Sequence, residues 1–443
     1  MPTIAGNNSN GVAAKLQQNR QSAAFAAIVV LSFLYFVRPE DFLKPLAHVP
    51  LAKITGLIAV IALIAGVKPS GAVKMPREAK LMIVLLLQLC LSVPTAAWKG
   101  GSFALITQVF AKDLILAILI VKIVDNLPAL RRLLFIQAAA VLSICAAALL
   151  THSTDHAGRL AIGNGEYGNA NDLAILIAIN LPLCFAFVLA AKSQFQKAFW
   201  TFGCMAMIYA IFATYSRSGF LAACIGMGVC LWDFGAKGRL TKVLVAAGLI
   251  GALLLFVVPN EYATRIGTIF TQEDDPTQLS GDSVVERRKL LTSSIDLALQ
   301  NPIFGVGPGN FPMVGGGWAV AHNTYAELAS ETGFPGLIIF VLLLSSAYVS
   351  IRAARKLAWR NGDKELRLLS GALWAALAAY TVGAFFADTA YQLYVYFLLS
   401  YIPVVYRIAQ QGYSVAPAPA ASRAIFFGSG EQLHGTAQVG WMR

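Results

Sequence analysis

Apolar runs separated by short polar segments extend along almost the whole chain. A helix needs about 20 largely apolar residues to cross a bilayer, and several of the runs approach that length. The pattern predicts twelve spans, at residues 22–37, 54–67, 80–95, 108–122, 132–150, 172–191, 198–215, 218–232, 241–258, 324–350, 367–387 and 389–408. The predicted fold is therefore all-α, a polytopic membrane bundle of about twelve transmembrane helices.

The basic residues predict the orientation of this bundle. If the N-terminus is cytoplasmic, most of the 34 Lys and Arg residues fall in the inner segments, as the positive-inside rule expects. The chain then divides into five parts, which are a cytoplasmic tail at residues 1–21, about nine helices at 22–258, a large outer loop with amphipathic helices at 259–323, about three helices at 324–408, and a flexible cytoplasmic tail at 409–443. The first run follows a polar N-terminus without a clear cleavage site, so we interpret it as a retained helix.

Composition agrees with a membrane protein and excludes several other classes. The chain is 57% hydrophobic and 13% charged, whereas soluble domains are about 45–50% apolar and about 25% charged. The net charge of +12 is spread between the apolar runs and not clustered on one face, which argues against nucleic-acid binding. The six cysteines lie in or beside apolar runs without CxxC spacing, so neither a disulfide framework nor a metal site is predicted.

The segment AHNTYAELASETGFPG, residues 321–336, places polar side chains at the entrance to an apolar run. Thr324 and Glu327 fit a capping box, with Thr324 as the N-cap. Glu331 follows Glu327 by one helical turn and lies on the same face. Capping does not account for His322, which would lie at the lip of the helix. Since neutral imidazole is a suitable general base, His322 is a candidate for activating a hydroxyl acceptor; the alternative is a structural histidine with satisfied hydrogen bonds.

The same segment contains residues that interrupt a helix. Gly333, Pro335 and Gly336 follow the two glutamates, and we expect them to bend or break the helix at this point. The apolar part after Gly336 is too short to span a bilayer alone. The first turns of this helix should therefore lie at membrane depth on the outer side.

Two polar sequences that flank predicted spans carry further candidates. In TYSRSGF, Arg217 stands between two spans on the outer side, and a charge at this depth is a functional candidate; the alternative is a snorkelling anchor. In GEYGNANDLA, Asn171 or Asp172 can cap the following helix. Asn169 could hydrogen-bond a sugar.

The outer loop contains VVERRKLLTSSIDLALQNPIFGVGPGNF, which predicts an amphipathic helix followed by a glycine-rich turn. Its predicted apolar face consists of Val285, Leu290, Leu291, Ile295, Leu297 and Leu299. Arg287, Arg288 and Lys289 near the helix start oppose the helix dipole, which favours an anionic partner; a solvated basic face is the alternative. The turn lacks the Lys-Ser/Thr of a phosphate-binding P-loop.

These motifs, in this order, resemble the O-antigen ligase and polymerase superfamily, and the resemblance covers most of the chain. It rests on GEYGNANDLA, YSRSGFLA, NPIFGVGPGNF and HNTYAELASETGFPG. The resemblance implies a multi-pass protein of the bacterial inner membrane whose active site faces the periplasm, with residues 259–323 as the large periplasmic loop. It also implies transfer of a glycan from undecaprenyl pyrophosphate to an acceptor hydroxyl, without a nucleotide sugar, a cofactor or a catalytic metal.

The resemblance further implies the roles of particular residues. His322, Arg217 and Arg287 take the catalytic positions, with Arg288 as the other residue that could be the loop arginine. Arginine offers a planar fork for pyrophosphate oxygens, and His322 would orient or deprotonate the acceptor. We expect the three catalytic side chains to meet within about 10–15 Å around one outward-facing cavity. The predicted substrate-binding residues are Arg288, Asn169, Asn323, Tyr325 and Glu331.

Other functions fit parts of the sequence. A polymerase of the same superfamily would use a second lipid-linked glycan as acceptor, a ligase would use lipid A–core, and a third subgroup glycosylates proteins. A polysaccharide transporter would carry charge pairs at mid-membrane and perhaps inverted repeats, and the sequence has neither pattern. A non-enzymatic scaffold would leave Arg217, Arg287 and His322 scattered in space. The predicted partners are the lipid-linked donor, a lipid or glycan acceptor and membrane lipids.

Overall fold

The computed structural model describes residues 23–39, 75–155, 158–162, 167–235, 284–315, 317 and 319–415, and the single residues 54, 57 and 61. The tail at residues 1–21, most of the predicted span at 54–67, the span at 241–258 and the loop residues 259–283 lie outside this part. So do residues from 416 onward in the predicted C-terminal tail.

The described residues form α-helices and no β-strand, apart from one isolated bridge between Thr154 and Leu160. The helices are α1 (Ala23–Val37), α2 (Arg77–Ser92), α3 (Lys99–Ile123), α4 (Leu127–Thr151), α5 (Ala170–Ala190), α6 (Gln194–Ala213), α7 (Arg217–Gly235), α8 (Val284–Gln300), α9 (Phe311–Val314), α10 (Thr324–Arg360), α11 (Lys364–Gly383) and α12 (Leu393–Val415). Within α3, residues Ile106–Phe110 form a π-helical turn.

Six of these helices, α3, α4, α5, α10, α11 and α12, are long and apolar enough to cross a membrane, and α1 is a shorter apolar helix. The prediction of an all-α membrane protein is thus confirmed, whereas the count of twelve spans stays a prediction. Several helix ends differ from the sequence pattern. Helix α3 begins at Lys99, whereas its predicted span began at residue 108. Helix α10 continues to Arg360, beyond the predicted end at residue 350, and α12 continues to Val415, into the segment predicted as a flexible tail.

Short polar residues begin several of these helices. Asn126, Ser193 and Asp363 each accept a hydrogen bond from the backbone N–H three residues later, at the starts of α4, α6 and α11. Each side chain thereby satisfies one of the N–H groups that a helix start leaves without an intrahelical partner. Each cap lies at the boundary between polar residues and an apolar run, so the starts of these helices can be predicted from the sequence.

The helix ends gather at two opposite ends of the bundle. Gly383, at the end of α11, lies against Ile175 and Ala222 near the starts of α5 and α7. Beside it, the N–H of Thr324 at the start of α10 donates to the carbonyl oxygen of Ala384 at 2.9 Å. We call this the His322 end. Successive helices that are joined by short connections, such as α10 and α11, run antiparallel to each other.

The opposite end, which we call the basic end, holds the starts of α4 and α11 and the ends of α7 and α10. Arg131 of α4 pairs with Glu365 of α11 at 3.3 Å. Arg355 near the end of α10 pairs with Asp233 near the end of α7. Between the two ends, α5, α11 and α12 are the most buried of the long helices and form the centre of the bundle.

Helix α10 is broken at Gly333, which has φ 72° and ψ 177°. The prediction that Gly333, Pro335 and Gly336 interrupt this helix is confirmed at the first of these residues. Only glycine adopts such a conformation without strain. The N–H of Phe334, directly after the break, leaves the helix and donates to the carbonyl oxygen of Pro302 at 2.8 Å.

The glycine-rich turn of residues 301–310 binds to this break. The N–H groups of Val306 and Gly307 donate to the carbonyl oxygens of Ser330 and Glu331 at 2.8 and 2.9 Å. These carbonyl groups would otherwise have lost their helical partners at the break, and a buried carbonyl without a partner is costly. The turn and the broken helix therefore form one joint, in which each segment completes the hydrogen bonds of the other.

The break predicts an unusual cost for Gly333→Ala. A Cβ atom at this position would lie 2.5 Å from the carbonyl carbon and oxygen of Ile303. Gly362 provides a matched control, because its φ of 70° is nearly the same but nothing lies within 4 Å of its added Cβ. We expect Gly362→Ala to cost roughly 1–2 kcal/mol from backbone strain alone and Gly333→Ala to cost a further 1–3 kcal/mol or so from overlap.

Thermal unfolding of the two purified variants measures this difference. Equal losses of Tm in the two variants would contradict the close approach of residues 302–303 to the break.

Candidate functional site

The start of α10 is bound to the connection between α11 and α12. Asn323 Nδ2 donates to the carbonyl oxygen of Phe385 at 3.1 Å, and Thr324 Oγ1 donates to that of Ala387 at 2.7 Å. The N–H of Thr389 donates in turn to Thr324 Oγ1 at 2.9 Å. The predicted spans at 367–387 and 389–408 left one residue between them, whereas residues 384–392 are non-helical and wrap around the start of α10.

His322 lies at the lip that this wrapping creates. Its backbone has φ 50°, in the left-handed region that residues other than glycine rarely adopt. Its side chain is 14% exposed, and Nδ1 lies 4.0 Å from Oδ1 of Asp388. Backbone strain held by surrounding hydrogen bonds is common at functional sites. The strain here fixes the direction in which the imidazole leaves the chain, towards Asp388.

Asp388 is a largely buried carboxylate, 17% exposed, that faces the imidazole of His322 and lies within the electrostatic reach of Arg287. Its Oδ1 atom is buried and has no hydrogen-bond partner among the described residues. Burial raises the pKa of Asp388 from 3.8 to about 6, and a backbone hydrogen bond and the positive charge of Arg287 act in the opposite direction. A carboxylate that is largely buried and faces His322 can stabilise a positive charge on the imidazole.

Arg287 reaches this cluster from the loop helix α8. Leu290, Ser294 and Ala298 form the buried face of α8, and Arg287 precedes Leu290 by three residues on that face. Arg288 points elsewhere, since it is exposed and lines a shallow cleft with Lys289 and other residues of α8. Of the two adjacent arginines, Arg287 is thus the one whose charge acts on Asp388.

The predicted apolar face of α8 is buried only in part, since Leu290 is 6% exposed and Leu297 packs against it. Val285, Ile295 and Leu299 are 66%, 47% and 63% exposed, whereas the buried face contains the small residues Ser294 and Ala298. Small side chains let α8 approach the bundle closely. The surface of the bundle against which α8 packs decides which face of α8 is buried. The sequence of α8 alone carries no information about that surface.

Arg217 begins α7 at the His322 end. The preceding Ser216 accepts a hydrogen bond from the N–H of Gly219 at 3.2 Å and donates to Asn171 Oδ1 in the first turn of α5 at 2.8 Å. Asp172, the neighbour of Asn171, acts electrostatically on Glu327, as Asp388 also does. Arg217 therefore belongs to the same end of the bundle as Asp388. The meeting of Arg217, Arg287 and His322 around one cavity stays a prediction.

Two of the predicted substrate-binding residues are helix caps. Asn169 accepts from the N–H of Asn171 at 2.8 Å and caps α5, so the prediction that Asn171 or Asp172 is the cap was wrong. Asn323 accepts from the N–H groups of Tyr325 and Ala326, both at 3.0 Å, and caps α10. A contact of Asn169 or Asn323 with substrate stays a prediction.

The capping box predicted for Thr324 and Glu327 is corrected by the same observation. The N-cap is Asn323, one residue earlier, and Thr324 is buried beneath the connection of α11 and α12. Glu327 is a buried carboxylate within the electrostatic reach of Glu331 and Asp388. The pattern placed the helix start correctly to within one residue, but the register decides which side chain reaches the N–H groups.

Glu331 and Tyr325 make specific hydrogen bonds inside the protein. Glu331 accepts from the N–H of Gly309 at 2.7 Å, from the N–H of Phe311 at 3.0 Å and from the hydroxyl of Tyr391 at 2.8 Å. The Tyr325 hydroxyl donates to the carbonyl oxygen of Thr381 at 3.0 Å. The side chain of Glu331 thus binds the glycine-rich turn. A contact of Glu331 or Tyr325 with substrate stays a prediction.

Two further residues of the site, Asp388 and Tyr391, were not predicted from the sequence. Both lie in the connection between α11 and α12, where Asp388 stands alone as a carboxylate between two apolar runs. An ionisable residue at such a position is a functional candidate by default, so a signal for Asp388 was present. Tyr391 carried no comparable signal, because its role depends on Glu331 reaching it across the fold.

No group of three or more His, Cys, Asp or Glu side chains among the described residues is arranged to hold a metal ion. The residues that gather near His322 are instead an imidazole, a carboxylate and a guanidinium. This set can accept a proton from a hydroxyl and can neutralise a phosphate.

A comparison with protein-family models identifies a match that covers part of the chain. Residues 202–341 match a family model described as O-antigen ligase. The search of curated proteins found no match to this chain. The matched region runs from α6 to the part of α10 beyond its break, and it includes Arg217, Arg287 and His322. The match confirms the resemblance to the O-antigen ligase and polymerase superfamily and supports a membrane glycosyltransferase of that general kind.

The raised pKa of Asp388 predicts that Asp388→Asn stabilises the protein at neutral and alkaline pH. The ionised carboxylate costs folding free energy, because its folded pKa of about 6 exceeds the ordinary 3.8. The cost is present above pH 6 and disappears as the pH falls through the interval between the two values. This shift corresponds to about 3 kcal/mol at pH 8.

Thermal unfolding at pH 8 and pH 4.5 measures this effect. Asp388→Asn should raise Tm at pH 8 and change it far less at pH 4.5. The exposed Asp296 of α8 provides the control, and Asp296→Asn should leave Tm unchanged at both values. A lower Tm for Asp388→Asn at pH 8 would contradict the prediction, because the pairing with Arg287 would then outweigh burial.

Proposed function

We propose that this chain transfers a glycan from undecaprenyl pyrophosphate to an acceptor hydroxyl on the periplasmic side of the bacterial inner membrane, as an O-antigen ligase-like enzyme. The observation that carries the proposal is the cluster of His322, Asp388 and Arg287 at the lip of the broken helix α10. The family match over residues 202–341 supports the same reaction class.

The proposed reaction is a direct displacement at the anomeric carbon of the first sugar. The acceptor oxygen forms the new bond to this carbon while its proton passes to His322. The bond from the carbon to the pyrophosphate oxygen breaks, and the electron pair stays on the leaving pyrophosphate. Asp388 stabilises the imidazolium that forms, so the 4.0 Å separation of the two side chains would shorten when substrate binds.

The two arginines are assigned to the leaving group in this proposal. Arg287 and Arg217 would each face phosphate oxygens, because a guanidinium is permanently charged and offers two parallel N–H donors. Negative charge grows on the pyrophosphate as the bond breaks, and cations placed beforehand stabilise that charge strongly in a water-poor site. A pyrophosphate needs no protonation to leave, which explains why the cluster needs no second acidic residue as a proton donor.

A polymerase is the second candidate within the same chemistry. Its acceptor would be another lipid-linked glycan, and it would use His322 and the arginines in the same roles. Lipid A–core and protein hydroxyl groups are the other acceptor classes. An assay that offers the acceptors separately to one purified lipid-linked donor distinguishes these activities by the product.

We predict that variants of the site separate donor binding from transfer. His322→Ala should lower the transfer rate by about 10²–10⁴-fold and leave donor binding close to that of the unmodified protein. Arg217→Lys and Arg287→Lys should both weaken transfer, because lysine keeps the charge but loses the planar fork. Arg288→Lys is the matched control for Arg287→Lys and should have little effect.

The measurements are transfer from a purified lipid-linked glycan and donor binding on the same variants. If His322→Ala abolished donor binding while Arg217→Ala bound donor normally, the proposed roles would be reversed. If Arg288→Lys lost as much activity as Arg287→Lys, the assignment of the loop arginine would fail.

Orientation is a separate prediction of this proposal. In a background without the six native cysteines, a cysteine at Thr277, which lies outside the described residues, should react with a membrane-impermeant maleimide on intact spheroplasts. A cysteine at the exposed Lys364 should react only after permeabilisation, because the basic end faces the cytoplasm under the positive-inside rule. The opposite labelling pattern would refute a periplasmic active site.

A further inference from the structure

A large cleft opens at the basic end of the bundle, far along the helices from His322. It has a volume of about 1740 Å³ and is lined by residues near the starts of α4, α6 and α11 and near the ends of α5, α7 and α10, together with part of α1. Small-molecule pockets usually measure about 300–1,000 Å³. The size of the cleft suits a ligand with long chains better than a compact metabolite.

Aromatic rings form the wall of this cleft. Phe187 of α5 stacks on Trp200 of α6 with centroids 5.0 Å apart, and Phe135 of α4 meets Trp200 edge-on at 5.1 Å. Phe135 and Phe199 remain 42% and 45% exposed where they line the cleft. Packed rings that still present apolar surface are suited to contact with hydrocarbon chains.

Cations from three separate helix ends surround the aromatic wall. Arg132 near the start of α4, Lys192 after α5 and Lys364 at the start of α11 all line the cleft. The cleft also contains two carboxylates, and both are already engaged, since Glu365 pairs with Arg131 and Asp233 pairs with Arg355. Within the part of the chain that the structure describes, no carboxylate lies within ion-pair distance of Arg132, Lys192 or Lys364.

Basic and aromatic residues are enriched at membrane–water interfaces, where they act as anchors. Three cations of this kind, Lys197, Lys356 and Arg360, are exposed at the same end and do not line the cleft. The cations of the cleft differ, because they converge from different helices above one concave apolar wall. Basic pockets between transmembrane helices are the sites that bind the phosphate groups of anionic lipids.

We propose that this cleft binds an anionic phospholipid of the surrounding bilayer. The phosphate lies at Arg132, Lys192 and Lys364, and the acyl chains lie along the exposed rings of Phe135 and Phe199. The site is distinct from the candidate catalytic site, which lies at the other end of the bundle. The bound phosphate contacts Arg132 of α4 and Lys364 of α11 at the same time. Lipid binding therefore stabilises the relative position of these two helix starts.

The test compares lipid binding by two triple variants of the delipidated full-length protein in detergent. The first variant combines Arg132→Gln, Lys192→Gln and Lys364→Gln, and the control combines Lys197→Gln, Lys356→Gln and Arg360→Gln. Native mass spectrometry follows titration with dioleoyl phosphatidylglycerol, with dioleoyl phosphatidylcholine, and with phosphatidylglycerol in the presence of millimolar inorganic phosphate. Thermal unfolding checks that both variants remain folded.

We expect saturable binding of phosphatidylglycerol, at least about tenfold preferred over phosphatidylcholine. The first variant should weaken this binding by about 10²-fold, because each of the three cations contributes about fivefold to the affinity for an anionic lipid. The control variant should bind normally.

Three results would overturn the proposal. Equal weakening in both variants would show a diffuse basic surface, and displacement by inorganic phosphate would show a simple anion site. Failure of the wild-type protein to bind phosphatidylglycerol would show that the cleft is not a lipid site, including the case in which another segment of the chain covers it.

Discussion

A helix that breaks inside a membrane protein must find new partners for its backbone groups, because the bilayer offers no water to replace them. Helix α10 meets this requirement at Gly333 by binding the glycine-rich turn, whose N–H groups donate to the carbonyl oxygens of Ser330 and Glu331. Gln88 of α2 adds hydrogen bonds to the carbonyl oxygens of Ile303 and Thr332, both at 2.9 Å. Three separate segments of the chain are thus joined at one interruption.

The position of the candidate site follows from this joint. The turn follows α8 directly, so fixing the turn also fixes the helix that carries Arg287. On the other side, the first segment of α10 carries His322 at its start, where the connection between α11 and α12 places Asp388 beside it. Glu331 connects the two sides, since it accepts hydrogen bonds from the turn and from Tyr391. The imidazole of His322 and the carboxylate of Asp388 lie side by side, and the charge of Arg287 acts on Asp388, because their supporting segments share one framework.

Much of this arrangement could be predicted from local signals in the sequence. Apolar runs predicted the helices, and the glycines and proline of residues 333–336 predicted the break. The predictions failed where the answer depended on a distant partner. Asn323 caps α10 in place of Thr324 because the register of the helix start is set by hydrogen bonds to residues 384–389. The buried face of α8 and the role of Asp388 likewise depend on packing between segments far apart in sequence.

Apart from the bond that the Glu331 carboxylate accepts from Gly309, the hydrogen bonds between the turn and the broken helix are made by main-chain atoms. Such bonds are the same whatever side chains the two segments carry, provided that glycine occupies positions such as Gly305 and Gly333, where the backbones approach closely. The rest of the loop can therefore vary in sequence without loosening its attachment. A chimaera that exchanged the rest of the loop with that of a relative would remain anchored if it kept this glycine pattern, which makes the loop a structurally separable module.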